Sequence, residues 1–113
     1  MKYTSEQLAK INDTLRVNLI INSCDVEFEG VKGKMMLTRQ VADLPYSQMI
    51  ELLVMIAKVN TFSPDNDPHG EHDFGSIDAF GDKWFWKFDY YDSDLTYFGH
   101  HTHVLTIMHS SDY

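Results

Sequence analysis

Cysteine, basic residues and long apolar runs are all scarce in this chain of 113 residues. Cys24 is the single cysteine and has no partner for an intrachain disulfide, so we expect the reducing conditions of the cytoplasm. The longest apolar run, residues 52–57, is far shorter than the roughly 20 residues that cross a bilayer. Residues 1–10 are polar and helix-like, without the apolar segment of a secretion signal. We therefore expect a cytoplasmic protein that makes no membrane contact.

The shortage of basic residues determines the charge of the chain. Lys and Arg number 9 and Asp and Glu number 17, so the formal net charge is 9 − 17 = −8. Proteins that hold the phosphate backbone need a basic surface, so direct nucleic-acid binding is not expected. An acidic surface suits a partner protein with a basic surface, including one that normally holds nucleic acid. The alternative is that the charge serves solubility alone.

Apolar and aromatic residues are abundant enough for a folded core. Hydrophobic residues make up 43% of the chain and aromatic residues 13%, well above what a disordered chain contains. A chain of this length builds one core and not two, so we interpret residues 1–113 as a single domain.

Two segments have the apolar spacing of helices. Thr4 and Gln7 form a capping box, which predicts a first helix over residues 5–17. Apolar residues recur every three or four positions along it, with Asn12 and Arg16 among the polar residues on the remaining face. A second helix is predicted over residues 46–59, with Pro45 in its first turn. This segment is apolar nearly all round, so we expect the helix to be buried at the centre of the domain.

Alternation of apolar and polar residues predicts a first pair of strands. Residues 24–29 alternate strictly and place Cys24 on the inward face. Residues 34–39 form the return strand after a turn at 30–33. Residues 19–21 either extend the first strand or cover its edge.

Three further strands are predicted in the second half of the chain, over residues 72–80, over 83–92 and from residue 100 onwards. In the middle one, four aromatic residues share one face, which favours core over interface: Trp84, Trp86, Phe88 and Tyr90. The elements together predict an α+β fold, with two helices packed on a mainly antiparallel sheet of about five strands.

Residues 65–75 are rich in potential metal ligands, with four carboxylates and two imidazoles. His69, His72 and Asp73 could bind a divalent transition metal, completed by histidines at 100–103 if the last strand begins nearby. Such a site would belong to a metal-dependent hydrolase or nuclease. The alternative is a turn-forming loop whose acids cap backbone groups, and our leading interpretation includes no cofactor.

The leading interpretation is binding without chemistry. Acidic residues of two loops would form one acidic face if both loops lie at the same end of the sheet, with tyrosines as anchors. This face would resemble a row of phosphates and occupy a basic surface on another protein. The residues expected to bind the partner are Asp65, Asp67, Glu71, Asp73, Asp89, Tyr91 and Asp92. We therefore predict a small, acidic, non-enzymatic interaction protein.

Three motifs resemble a known family. They are His-Gly-Glu-His-Asp-Phe-Gly at 69–75, Trp-Lys-Phe-Asp-Tyr-Tyr-Asp at 86–92 and Val-Leu-Thr-Ile-Met at 104–108. The chain is similar, from residue 11 almost to its end, to the small bacterial proteins grouped as domain of unknown function 3768. Members usually carry a longer acidic, proline-containing insert before the last strand, where this chain has only residues 97–101.

No established activity or ligand comes with that resemblance. Family members appear in bacterial chromosomes and on mobile elements, which implies a setting where defence and counter-defence proteins are common. The most concrete form of the interaction hypothesis is therefore an inhibitor of a bacterial nucleic-acid-handling defence complex, of the anti-CRISPR or anti-restriction type.

Overall fold

The protein was examined as a computed structural model, which describes residues 3–113. The predicted α+β class is confirmed; predictions that involve residues 1 and 2 lie outside the described part. The elements in chain order are α1 (Ser5–Asn22), β1 (Val26–Phe28), β2 (Val31–Leu37), α2 (Arg39–Ala42), α3 (Tyr46–Ala57), β3 (Phe74–Ala79), β4 (Asp82–Tyr91), β5 (Thr102–His109) and a 3-10 turn (Ser110–Asp112).

The strands form one five-stranded sheet in the order β1-β2-β5-β4-β3. Three of its neighbouring pairs are antiparallel, and β2 and β5 are parallel. The parallel pair arises because the chain passes through α2, α3 and the β3–β4 hairpin before β5 inserts beside β2. The prediction of a mainly antiparallel sheet of about five strands is confirmed.

Helix α1 begins where its capping box predicts but ends later than expected. The Thr4 hydroxyl accepts a hydrogen bond from the Gln7 amide (3.1 Å), and the Gln7 side chain accepts one from the Thr4 amide (2.8 Å). The helix continues to Asn22, so residues 19–21 are helical and neither proposed strand role is correct. The reason is burial, because Leu19 and Ile20 join the hydrophobic core from this helix.

The first hairpin is tighter than predicted. Its turn consists of Glu29 and Gly30, both with positive φ (54° and 80°), a pair of angles that suits a two-residue hairpin turn. Strand β2 therefore begins at Val31 and not at residue 34. Cys24 was expected to face inward, but it precedes the short strand β1 and is exposed to solvent.

Helix α3 is not the buried central helix that its composition suggested. Leu52, Leu53 and Ile56 are buried, whereas Ile50 is 39% and Val54 40% exposed. The helix packs with one face only, and its exposed side combines Ile50 and Val54 with the polar residues Ser47, Glu51 and Lys58. The more deeply embedded helix is α1, which contributes eight buried residues.

The predicted aromatic core face of β4 is confirmed. Trp84, Trp86 and Phe88 are each at most 5% exposed and belong to the core cluster, together with side chains of α1 and α3. Because side chains alternate along a strand, Phe85, Lys87, Asp89 and Tyr91 lie on the other side of the sheet, which we call the open face. Within residues 3–113, no helix is long and apolar enough to cross a membrane.

Candidate functional site

The chain between α3 and β3 is organised by a buried carboxylate. Asp67 is 5% exposed, and its Oδ1 accepts hydrogen bonds from the amides of Glu71 (3.2 Å) and His72 (3.1 Å). This turn lets His72 adopt a positive φ of 54°. The Asp67 carboxylate is therefore used inside the protein and is not presented at the surface.

The turn sends the side chains of this segment to two different sides. Asp65, His69 and Asp73 line a cleft on the open face. Glu71 and His72 instead form hydrogen bonds with side chains of β4 and α1 on the helix side of the sheet. The residues predicted as one acidic or metal-binding group therefore divide into an outer and an inner set.

The outer set forms an acidic cleft of about 570 Å³. We use this name for the hollow in which carboxylates meet from the loop before β3, from β4 and from the C-terminal 3-10 turn. Phe74 and Tyr113 give it aromatic walls, their ring centres 5.6 Å apart. The charged residues of the acidic cleft are Asp65, Asp73, Asp89, Asp112 and Lys87.

The acidic cleft is strongly negative. Four Asp and one Lys give a formal charge of −4 + 1 = −3 with His69 neutral. The Lys87 Nζ lies 3.2 Å from an Asp89 carboxylate oxygen, which leaves the other acids without a lysine inside the cleft. Burial raises the pKa of Asp73, and the nearby charges of Glu71 and Asp67 raise it further. A cation placed here would relieve that repulsion.

The inner set forms a hydrogen-bond chain that crosses the protein. His103, 0% exposed, is 2.8 Å from the Asn12 Oδ1, and the Asn12 Nδ2 donates to the Tyr90 hydroxyl (2.9 Å) and to the Glu71 carbonyl (3.0 Å). The Tyr90 hydroxyl in turn donates to the Glu71 carboxylate at 2.8 Å. His100 closes the outer end, its Nδ1 3.0 Å from the His103 Nε2.

The hydrogen-bond partners assign each proton of this hydrogen-bond chain to one atom. The amide oxygen of Asn12 can only accept, so His103 carries its proton on Nδ1 and accepts from His100 on Nε2. Burial and, to a smaller extent, the neighbouring His100 lower the pKa of His103 to about 3, so the ring is neutral at pH 7. Burial likewise raises the pKa of Tyr90, as does its bond to Glu71. The side chains of His103, Asn12 and Tyr90 are thus neutral, and their hydrogen bonds end at the Glu71 carboxylate.

His72 occupies a second polar pocket next to this chain. Its Nδ1 is 2.9 Å from an Asp13 carboxylate oxygen, and its ring stacks on Phe62 with 3.7 Å between ring centres. Asp13 also pairs with Arg16 at 3.1 Å. Arg16 is 1% exposed, donates to the carbonyls of Ile56 in the last turn of α3 and of Val59 after it, and lies over Trp86. This group joins the loop to both helices, and burial lowers the pKa of Arg16.

The proposed metal ligands do not converge in the part of the chain that the structure describes. Among residues 3–113, no three His, Cys, Asp or Glu side chains are arranged to hold an ion. His69 lines the acidic cleft, whereas His72 is bonded to Asp13 on the other side of the sheet. His100 and His103 form a hydrogen bond with each other. The geometry therefore lends the hydrolase alternative no support.

Tyr91 and Asp92 lie where β4 meets the loop before β5. Tyr91 pairs with Thr102 and shares the open face with Asp89. The Asp92 Oδ1 accepts from the amides of residues 94, 96 and 97, and these bonds lower its pKa, the one from residue 96 most. Asp92 thus shapes its own loop. Of the seven residues predicted to bind a partner, the structure brings Asp65, Asp73 and Asp89 together in the acidic cleft.

Sequence reasoning missed several residues of these sites. Asn12 and Arg16 were placed on the solvent face of the first helix, but both are buried, because β5 and the end of α3 supply their partners. One signal was available: both polar residues are spaced by four from buried apolar positions such as Leu8 and Ile20. Asp112 joins the acidic cleft only because the 3-10 turn folds back beside β4.

Comparison with known proteins gives one match. The family model described as "Protein of unknown function (DUF3768)" matches residues 37–112. No curated protein and no solved structure matches. The matched range includes β3, β4 and β5 and all residues of the acidic cleft except Tyr113, whereas Asn12 and Asp13 of α1 lie outside it.

Proposed function

This chain belongs to the family of unknown function DUF3768, and we propose that it is a small acidic, non-enzymatic interaction protein that binds a basic surface of a partner protein. The observation that supports this function is the meeting of Asp65 and Asp73, from the loop before β3, with Asp89 of β4 in one cleft. A general excess of acid for solubility would not need such convergence. The charge of −8 acts in the same direction, since it would attract a basic partner from a distance.

The acidic cleft has the chemistry that a guanidinium or ammonium group requires. Asp73 and Asp89 are half-buried, so water screens their attraction for a cation less than it screens that of the exposed Asp65 and Asp112. Phe74 and Tyr113 add ring faces for cation–π contact. Arginine suits this combination best, because its planar group can pair with a carboxylate and stack on a ring at once.

In its most concrete form, the proposed function is inhibition. The acidic cleft would occupy a site on a bacterial nucleic-acid-handling defence complex where a phosphate normally lies, in the cytoplasm and without contact of its own to nucleic acid. The family resemblance described above supports the bacterial setting. The chemistry of the cleft supports the basic target.

Binding of a fluorescent octa-arginine peptide, followed by anisotropy, tests the basic-surface function. The Asp65→Lys/Asp89→Lys double variant should weaken binding about tenfold or more, because two attractive charges become repulsive at the cleft. Glu6→Lys/Glu51→Lys is the matched control: it also reverses two exposed charges, on α1 and α3, which pack on the other side of the sheet. Equal weakening by this control would show that only net charge matters and would contradict a role for the cleft.

The inhibitor form has a separate test in cells. Bacterial strains that carry single defined restriction or CRISPR systems would express the protein and be challenged with a sensitive phage. Protection of the phage by the native chain in at least one strain, lost in Asp65→Lys/Asp89→Lys and kept in Glu6→Lys/Glu51→Lys, is the expected result. If no strain with verified expression lets the phage escape, the inhibitor form is wrong for those systems, while the peptide result stands by itself.

A further inference from the structure

Helix α3 exposes an apolar face that the protein itself leaves uncovered. Tyr46 is 75% exposed, Ile50 39% and Val54 40%, and their spacing of four places them on one stripe of the helix. Leu52, Leu53 and Ile56 on the other face are buried. An exposed apolar stripe of this kind, flanked here by Ser47, Glu51 and Lys58, is typical of a contact surface.

The charge of this region differs from that of the rest of the chain. Residues 39–58, which contain α2 and α3, carry Arg39 and Lys58 against Asp43 and Glu51, a sum of 2 − 2 = 0. The whole chain carries −8. The apolar stripe therefore lies in a neutral segment, where a second, equally acidic copy would meet the least repulsion.

The charges at the two ends of the helix are arranged for antiparallel pairing with an identical helix. Asp43 lies just before the first turn of α3, where it also forms an exposed ion pair with Arg39 of its own chain (3.5 Å), and Lys58 caps the last turn. In an antiparallel pair with its two-fold axis between Ile50 and Glu51, positions equally far before and after the axis face each other. Each Lys58 would then lie beside Asp43 of the second copy, because the two residues are equally distant from the axis. Such a contact is made twice, as an isologous interface requires. Parallel pairing would instead set like charges side by side.

We propose that the exposed face of α3 is the contact surface of a symmetric dimer formed by two copies of this chain. Tyr46 of one copy then packs near Val54 of the other, with the Ile50 side chains at the centre. A contact built on one twelve-residue helix is smaller than the roughly 800 Å² per partner of a standard stable interface, so the dimer is weak. We expect a Kd of about 10–500 µM.

This dimer would leave both acidic clefts free. The clefts lie on the open face of the sheet, whereas α3 packs on the opposite face. The dimer would thus present two cation-binding clefts at once, and even weak clefts would gain affinity for a partner that displays several basic sites. The dimer itself does not depend on the proposed function.

Sedimentation velocity between about 5 and 500 µM protein tests the dimer. The native chain should move from a monomer to a dimer boundary with rising concentration. Ile50→Asp should raise the Kd at least about tenfold, because it buries two like charges at the centre of the contact. Ser47→Arg should also raise the Kd, because a large charged side chain would obstruct the contact although no apolar side chain is removed. Thermal melting of each variant shows that it is folded.

Three further variants separate this face from other exposed surfaces and test the antiparallel register. Tyr97→Asp changes an aromatic residue in the loop before β5 that is as exposed as Tyr46. It should leave the Kd of the dimer within about twofold of the native value. Lys58→Asp should weaken the dimer, and Lys58→Asp/Asp43→Lys should restore it, since the exchanged pair is again opposite in charge. No restoration would contradict the antiparallel register.

The outcomes that overturn the proposal are distinct. A native chain that sediments as a monomer at every concentration would show that the face is free for a different protein. A dimer that Ile50→Asp and Ser47→Arg leave intact would place the contact elsewhere. Either result would leave the acidic cleft and its peptide test untouched.

Discussion

The side chain of Asn12 hydrogen-bonds the imidazole of His103 at 2.8 Å, across 91 residues of sequence. Asn12 lies in α1 and His103 in β5, and both are completely buried. The same amide donates to the Tyr90 hydroxyl and to the Glu71 carbonyl, so one side chain joins α1, two strands and the loop before β3. That loop carries Asp65 and His69 of the acidic cleft. The hydrogen bonds of Asn12 therefore hold in place the loop that contributes to the acidic cleft.

Loss of the Asn12 amide should be costly. Asn12→Ala leaves the His103 and Tyr90 polar atoms buried without their partner, and we expect the free energy of unfolding to fall by about 2–4 kcal/mol. Urea denaturation measures this. Asn18→Ala, in the same helix but less buried, should cost under about 1 kcal/mol. Equal losses in the two variants would show that the network adds no stability.

His103 should make the protein sensitive to acid. Its pKa is about 3 in the folded protein and about 6.5 when unfolded, so the unfolded chain binds the extra proton first. The stability it contributes is complete above pH 6.5 and declines as the pH falls towards 3, by up to about 1.4 kcal/mol per pH unit. Urea midpoints at pH 7, 6, 5 and 4 show the decline. The profile of His103→Gln should be flatter, and an unchanged slope would contradict the assignment to His103.

Gly75 should tolerate no side chain. A Cβ at this position would lie 2.4 Å from the Nε1 of Trp86, whose indole is 0% exposed and cannot retreat within a packed core. Gly75→Ala should therefore lower the free energy of unfolding by about 2–4 kcal/mol. Ser76→Ala, an exposed neighbour in β3, should change it by less than about 0.5 kcal/mol. A Gly75→Ala protein as stable as the native one would mean that the Trp86 ring lies elsewhere.

Added metal should not stabilise the protein. His69 and His72 lie on different sides of the sheet, and His72 is bonded to Asp13, so we expect no rise in melting temperature with zinc or manganese. Elemental analysis of protein purified without a histidine tag should find less than one equivalent of metal. Stoichiometric metal that disappears in His69→Ala or His72→Ala would restore the hydrolase alternative.

Local patterns predicted the elements whose partners lie nearby in sequence or whose faces differ clearly. The period of two in Trp84, Trp86 and Phe88 identified the core side of β4, and the Thr4 capping box identified the start of α1. The end of α1 was misjudged because β-branched and apolar residues at 19–21 also suit a strand. The choice between helix and strand depends on the packing of Leu19 in the hydrophobic core, which the local sequence does not show.

The composition of the candidate site was predicted better than its arrangement. Seven acidic and aromatic residues were named, but no local pattern shows that the Asp67 turn separates Asp65 and Asp73 from Glu71. Burial of Asn12 and Arg16 likewise depends on partners at least 40 residues away. Spacing along a helix shows which residues share a face, but the long-range packing decides which of its polar side chains become buried.

The salt dependence of octa-arginine binding tests the central claim most directly, because the claim is that this particular cleft attracts cations. The Kd would be measured at 50 and 300 mM NaCl for the native chain and for Asp65→Lys/Asp89→Lys. If the acidic cleft holds the peptide, the native Kd should rise about tenfold or more with salt, and the variant should bind weakly at both concentrations. Equal affinity and equal salt dependence in the two proteins would contradict the claim.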